Sequence, residues 1–229
     1  MIDAMTSQPV PPAARLVLAT HNRKKLVELF AILRDEPGLG DLPDGAIVTA
    51  GDLGAPEPVE DGVTFAENAL LKARALCAAT GLPAVADDSG LAVDVLGGAP
   101  GIFSARWAGR HGDDVANLEL LLAQLADVRA EHRGAAFVCA AALVTPDGRE
   151  EVREGAMPGV LATAPRGVNG FGYDPVHVPS EQPAGPDGAP GTRTSAELDP
   201  AEKNAISHRG KAFRALAPVI AAQLASGTP

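Results

Sequence analysis

Runs of apolar residues alternate along the chain with polar segments, and their periodicity predicts alternating strands and helices. Short continuous apolar runs at 15–19, 46–48 and 136–144 predict buried strands. From Phe65 to Cys77, apolar positions recur every three or four residues, as on one face of a helix. A turn and a more polar strand at 149–156 follow the third apolar run. This alternation predicts an α/β protein.

Several predicted helices carry end signals. Thr64 and Glu67 have the spacing of a capping box, and Gly81 is expected to end the same helix near Thr80. A second helix is predicted over 113–125 from its leucine spacing.

The C-terminal part predicts two helical segments. Asp199 as N-cap and Pro200 at the first helical position begin one helix. The stretch 207–210 is expected to interrupt or kink it before a final amphipathic helix through Phe213 and Leu224.

The most distinctive polar stretch is Asp87-Asp88-Ser89-Gly90, which lies between two apolar runs. It predicts a buried strand that ends in a tight bend, with Gly90 supplying unusual backbone angles. Two adjacent carboxylates repel each other and usually need a cation or a shared proton. This stretch alone leaves open the alternative that the aspartates cap a turn in water.

A basic turn, residues 20–25 (THNRKK), separates the first strand from a segment with helical spacing. Cations are disfavoured at a helix start, where backbone N–H groups favour an anion. An anionic ligand would therefore relieve a conflict in this turn. A capped helix with a solvated basic turn remains the alternative.

Two more segments have candidate binding roles. The glycine-rich loop 167–174 carries two aromatic residues and suits close approach to a flat ligand, although an ordinary hairpin has the same composition. His208 and Arg209 could bind an anion or lie solvated on a helix. Residues 1–14 are expected to form a disordered tail, and 180–195 a mobile surface insertion.

Composition limits the classes of function. The 229 residues, 46% of them apolar, are enough for one large domain over 15–226 or for two lobes that share a core. A net charge of −10 argues against general binding to nucleic acid or to anionic membranes. A phosphate compound would therefore need local basic groups or a metal ion. Without a signal peptide pattern or an apolar run of membrane-spanning length, a cytoplasmic protein is expected.

Five ordered motifs between Leu16 and Phe213 together resemble the inosine triphosphate pyrophosphatase family. They are ATHNRKK (19–25), TFAENALLKA (64–73), ADDSGLAVDVLGGAPGIFSARWAG (86–109), FGYDP (171–175) and EKNAISHRGKAF (202–213). The third motif is long and highly specific, and the resemblance covers nearly the whole chain.

The resemblance implies a fold, a reaction and an assembly. The implied fold is a bent mixed β-sheet flanked by helices, in two lobes with the nucleotide in a cleft between them. The implied reaction cleaves nucleoside triphosphates between the α- and β-phosphates, with a preference for the deaminated purines ITP, dITP and XTP. Members require a divalent cation, usually Mg²⁺, and are homodimers.

The resemblance also implies roles for individual residues. Asp88 matches the general base and a metal ligand, and Glu60 matches a second metal ligand. The positions that match substrate-binding residues are Thr20, His21, Asn22, Arg23, Lys24, Lys25, Ser89, Phe171, Gly172, Tyr173, Asp174, Lys203, His208 and Arg209.

The chain departs from the family pattern, and its sequence leaves two rival functions to consider. Lys24 stands where many relatives have glycine, and Asp61 adds a second carboxylate beside Glu60. One rival is a pyrophosphatase for modified pyrimidine nucleotides, which the His208-Arg209 pair together with the FGYD loop disfavours. The other is a non-catalytic nucleotide-binding protein, which the retained acidic residues disfavour.

Overall fold

The computed structural model of the chain describes residues 9–19, 32–33, 36–37, 39, 42–55, 58–184 and 191–226. The strands are β1 (Leu16–Leu18), β2 (Ile47–Thr49), β3 (Ala84–Val93), β4 (Gly134–Val144), β5 (Glu150–Leu161) and β6 (His177–Pro179). The α-helices within these residues are α1 (Phe65–Thr80), α2 (Asp114–Gln124), α3 (Pro200–Ile206) and α4 (His208–Ser226). Short 3₁₀ helices lie at Asp94–Leu96, Gly101–Arg106 and Ala130–His132.

The six strands form one mixed sheet in the order β2-β1-β3-β4-β5-β6. Strand β1 pairs in parallel with both β2 and β3, whereas β5 and β6 pair antiparallel. Parallel neighbours require crossover connections, and α1 lies in the segment that leads from β2 to β3. The predicted α/β class and mixed sheet are confirmed.

The chain divides into two compact units, each with its own apolar cluster. The first unit holds the residues up to Asp88 together with 140–154 and the C-terminal segment from Ala212; the second holds 89–139 and 155–211. In the first unit, the predicted apolar stripe of α1 packs against buried residues of β1, β3 and β4. In the second, leucines of α2 pack with Leu91, Met157 and Tyr173.

Helix α1 begins and ends at the predicted residues, but its cap differs in one bond. Thr64 Oγ1 accepts from the Glu67 N–H at 3.1 Å, and Gly81 ends the helix with φ at 69°. Glu67 Oε2 accepts from the Val63 N–H at 2.7 Å, so the prediction of a full capping box is wrong. Glu67 instead satisfies the donor one residue further upstream.

The predicted bend at residues 87–90 is wrong, because strand β3 continues through it. Gly90 is buried within the strand and is not among the glycines with positive φ. The two apolar runs form one strand between β1 and β4, and ladder pairing keeps the backbone extended. Side chains alternate across a strand, so Asp87 and Asp88 point to opposite faces.

Both ends of the 180–195 segment are anchored. Gln182 Nε2 donates to the carbonyls of Pro179 and Arg193, and the Arg193 N–H donates back to Gln182 Oε1. Residues 185–190 of this segment lie outside the described residues. Near the N-terminus, Val10 and Ala14 pack against the apolar cluster of the first unit, and 1–8 lie outside. None of the described helices has the length and apolar character needed to cross a membrane.

Candidate functional site

The candidate residues that the structure describes fall into two groups, one in each compact unit. The basic loop lies outside the described residues, and with it the predicted phosphate-binding residues Thr20, His21, Asn22, Arg23, Lys24 and Lys25.

The first group, which we call the carboxylate–lysine cluster, consists of Glu60, Asn68, Lys72 and Asp88. Lys72 Nζ lies 2.8 Å from Glu60 Oε1 and 3.7 Å from Asp88 Oδ1. Asn68 Nδ2 donates to Asp88 Oδ2 at 3.1 Å. Both oxygens of Asp88 therefore face a donor from α1, and the two carboxylates converge on one ammonium.

Helical spacing and a close turn explain this arrangement. Asn68 and Lys72 are four residues apart on α1, so they share one face of the helix. Asn68 is fully buried, and its Oδ1 accepts from the Gly62 N–H at 2.9 Å. A Cβ at residue 62 would lie 2.6 Å from that oxygen, so the connector that carries Glu60 needs glycine there.

Electrostatics favour the charged form of Lys72. Burial opposes that charge, but Asp88, Glu60 and Asp87 outweigh it and raise the pKa of the ammonium. Asn68 and Lys72 were not among the predicted site residues. Their spacing could have identified them, because they lie four residues apart on one face of α1. The motif TFAENALLKA, on which the resemblance partly rests, contains both residues.

The donor chemistry of the cluster fits a hard divalent cation. Carboxylate oxygens are the usual protein ligands of Mg²⁺, which commonly takes one or two carboxylates and completes its shell with water and substrate phosphates. Glu60 and Asp88 supply such a pair. The described residues contain no group of three or more His, Cys, Asp or Glu side chains arranged as a metal site. Asp61 is exposed.

The second group, which we call the aromatic–basic cluster, consists of Ser89, Phe171, Asp174, Lys203 and Arg209. Lys203 Nζ donates to the buried Asp174 Oδ2 at 2.5 Å and lies 5.4 Å from the centroid of the Phe171 ring. Asp174 Oδ2 also accepts from the Phe171 N–H at 2.8 Å. Arg209 Nη2 donates to Ser89 Oγ at 2.9 Å. The cluster therefore combines an aromatic face with two cations.

Glycines allow the 167–174 loop to fold around Asp174. Gly170 has φ at 78°, and a Cβ there would lie 2.0 Å from Asp174 Oδ2. Gly172, also with positive φ, donates its N–H to Asp114 Oδ2 at 2.9 Å. The loop is thus tied both to Asp174 and to the start of α2.

The two aromatic residues of this loop have different environments. The Tyr173 side chain is buried, its hydroxyl donates to the Ser104 carbonyl at 2.9 Å, and burial raises its pKa. Phe171 is 47% exposed. Sequence reasoning allowed either ring to stack on a ligand, and the structure leaves Phe171 as the accessible one.

The predicted interruption near residue 207 is confirmed, and it places His208 and Arg209. Ser207 ends α3, and its Oγ accepts from the Gly210 N–H at 3.0 Å, which caps α4. His208 and Arg209 therefore occupy the first turn of α4, and both are buried. This burial excludes the alternative in which they lie solvated on a helix surface.

Comparisons with known proteins agree on one family. The chain matches the model of the Ham1 family over residues 16–219. A dITP/XTP pyrophosphatase of Streptomyces coelicolor is 63% identical over 206 residues, which cover 90% of this chain and 96% of that protein. A dITP/XTP pyrophosphatase of Bifidobacterium animalis subsp. lactis is 54% identical over 230 residues, covering 90% of this chain and 96% of that protein.

Solved structures give the same result. The nucleoside-triphosphatase / dITP/XTP pyrophosphatase of Mycobacterium abscessus has a TM-score of 0.71 and 51% identity, covering 89% of this chain and 99% of that one. A HAM1 protein from Coxiella burnetii has a TM-score of 0.76 and 40% identity, covering 90% of this chain and 98% of that one.

Proposed function

This chain belongs to the Ham1 family, and on that premise we propose that it hydrolyses deaminated purine nucleoside triphosphates between the α- and β-phosphates. The substrates are ITP, dITP and XTP, and the products are the nucleoside monophosphate and pyrophosphate. One water molecule is consumed, and its elements are divided between the two products. The activity removes deaminated nucleotides from the precursor pool.

The carboxylate–lysine cluster is the observation that carries this proposal. A triphosphate has about four negative charges, and cleavage builds more on the leaving pyrophosphate, so the site must supply positive charge. Glu60 and Asp88 would hold Mg²⁺, which when bound neutralises phosphate charge. Asn68 and Lys72 hold the Asp88 carboxylate in place from α1.

Asp88 is the proposed general base, which takes a proton from the attacking water. A carboxylate acts efficiently in this role only when its oxygens are oriented and its charged form is maintained. The Asn68 amide supplies the orientation through one hydrogen bond, and the Lys72 ammonium favours the charged form. Both contacts come from a buried face of one helix, which limits their movement.

The aromatic–basic cluster is the proposed substrate-binding group of the second unit. Lys203 covers one face of Phe171, which leaves the other face for a purine ring. Arg209, like Lys203, is a cation that can donate to an acceptor such as the O6 of hypoxanthine or xanthine. An adenine amino group at that position would meet another donor, which disfavours ATP.

The remaining elements of the proposal come from the resemblance and, for the location, from the sequence pattern. The loop 20–25 would bind phosphate oxygens, and the protein would act as a homodimer in the cytoplasm. Its partner is the small-molecule nucleotide, with neither nucleic acid nor membrane required.

A substrate panel tests the activity. Pyrophosphate release is measured with Mg²⁺ for ITP, XTP, GTP, ATP and dUTP at equal concentration, with and without EDTA. We expect release from ITP and XTP far above the others, and its loss with EDTA. Preference for dUTP would favour the pyrimidine alternative, and absence of release from all five would leave a nucleotide-binding protein.

A pair of variants tests the role of Asp88. Asp88→Asn keeps the size of the side chain and its contact with Asn68 but removes the base, so we expect turnover to disappear while the fold is retained. Asp94→Asn, in the exposed 3₁₀ helix after β3, is the matched control and is expected to leave turnover unchanged. Near-normal turnover in Asp88→Asn would remove Asp88 as the base.

A further inference from the structure

Three rings of the second unit form a contact series that ends at His208. The Phe137 ring of β4 stacks on the His208 imidazole with centroids 5.1 Å apart and an angle of 14° between planes. Offset parallel stacking of this kind restricts tilting of the imidazole plane. His208 is also fixed along the chain, because it is the first residue of α4 after the Ser207 cap.

The Phe137 ring also contacts a second histidine. His177, the first residue of β6, meets Phe137 edge-on, with centroids 4.8 Å apart and planes at 64°. The His177 side chain is fully buried, and burial lowers its pKa to about 4, so the ring is neutral at neutral pH. The neutral His177 ring therefore contacts Phe137 without placing a positive charge beside the ring that stacks on His208.

Ser195 holds His177 in place. Its Oγ lies 3.1 Å from His177 Nδ1, and its N–H donates to the His177 carbonyl at 2.7 Å. Ser195 is fully buried at the anchored end of the 180–195 segment.

We propose that Phe137 and His177 are positioning residues that fix the ring plane of His208 and thereby sharpen the preference for a 6-oxopurine over a 6-aminopurine. The inference rests on the proposed function and deepens it. Neither residue needs to touch the nucleotide. Both act through His208, which the resemblance places among the substrate-binding residues and whose N–H would donate to O6 only when the imidazole plane has the correct orientation.

Selectivity, rather than activity alone, tests this role. Phe137→Leu keeps an apolar side chain but removes the stacking face. An aromatic pair of this kind contributes about 0.5–1.5 kcal/mol, so the ratio of kcat/KM for ITP to that for ATP should fall by about 2- to 12-fold. The loss should appear mainly as a higher KM for ITP.

Phe213→Leu is the matched control. Phe213 is also buried and lies on α4 itself, so the same truncation should cost stability. We expect it to lower the melting temperature and leave the ITP-to-ATP ratio unchanged. If both variants lower the melting temperature and neither changes the ratio, Phe137 is a core residue only and the proposal is overturned.

A second pair of variants separates the effect of the His177 ring contact with Phe137 from the effect of the His177 ring nitrogens. His177→Ala removes the ring and should reduce the ITP-to-ATP ratio, whereas His177→Phe keeps an aromatic ring against Phe137 and should restore it. Equal ratios in both variants and the native protein would overturn the role of His177. These variants also carry the test if Phe137→Leu does not fold.

Failure of this inference can be distinguished from failure of the proposed function. If the native protein prefers ITP to ATP and the variants keep that preference, only the positioning role falls. If the native protein shows no such preference, the proposed function and the inference that rests on it fall together.

Discussion

Lys72 Nζ lies 2.8 Å from Glu60 Oε1 and thereby occupies the position on which the two proposed metal-binding carboxylates converge. In the absence of metal, the ammonium offsets the repulsion between Glu60 and Asp88. Under the proposed function, Mg²⁺ would bind a pair of carboxylates that is already partly neutralised.

Removal of this ammonium should strengthen Mg²⁺ binding to the nucleotide-free protein. For Lys72→Met we expect an affinity on the order of tenfold higher, because a nearby like charge no longer opposes the cation. Isothermal titration calorimetry measures this directly. Arg74→Met, which breaks an exposed ion pair with Glu150 on the same helix, should leave the affinity unchanged. Equal Mg²⁺ affinity in Lys72→Met and the native protein would contradict the prediction that the Lys72 ammonium and Mg²⁺ compete for the same position.

Replacement of Asn68 by aspartate should change the pH dependence of turnover. Asn68→Asp places a second carboxylate against Asp88, which raises the pKa of the pair. The acid limb of the kcat/KM profile should therefore move upward by about one pH unit. A carboxyl whose pKa is raised by folding costs stability once the pH exceeds its unfolded value, so the melting temperature should fall more at pH 8 than at pH 5.

Asn117→Asp provides the control for the Asn68 variant. Asn117 is also buried on a helix, and its Oδ1 accepts from the Ala108 N–H. The new carboxylate should destabilise the fold in the same direction but leave the acid limb of turnover in place. A shift of the limb in both variants would show a general effect of buried charge instead of coupling to Asp88.

Phe171 should contribute to binding through its exposed face. Stacking of a base on an aromatic ring is worth about 1–3 kcal/mol, so Phe171→Leu should raise the KM for ITP at least about fivefold with a smaller effect on kcat. Val168→Ala truncates the 97% exposed apolar residue of the same loop and should leave KM unchanged. An unchanged KM in Phe171→Leu would exclude the stacking role.

His177 should make the protein sensitive to mild acid. Burial lowers its pKa from 6.5 to about 4, so below pH 6.5 the unfolded chain binds a proton that the folded chain does not. Stability should therefore fall as the pH drops from 6.5 to 4, by up to about 3 kcal/mol. His177→Phe should remove this part of the pH dependence.

Urea unfolding at several pH values checks the His177 prediction. The useful quantity is the difference in unfolding free energy between the native protein and His177→Phe, because acid titration of carboxylates is common to both. A difference that stays constant between pH 7 and pH 4 would show that His177 does not titrate as its burial implies.

The contrast between Phe171 and Tyr173 shows what local sequence cannot supply. Both are aromatic residues of one glycine-rich loop, and either could stack on a base. Burial separates them, because the Tyr173 hydroxyl reaches the Ser104 carbonyl 69 residues away and the ring enters the core of the second unit. Contacts between residues far apart in sequence leave no local signal.

The sequence by itself determined the α/β class, the bounds of α1, the break at Ser207 and, through its ordered motifs, the family. These features depend on side-chain periodicity, capping residues and motif order, which are all local. Tertiary structure decided that β3 continues through Asp87 and Asp88, because pairing with β1 and β4 outweighs the local preference for a turn. Tertiary structure also brought Lys72 and Asn68 to Asp88, and Phe137 to His208. Packing between elements selects these contacts, whereas periodicity along one element does not reveal them.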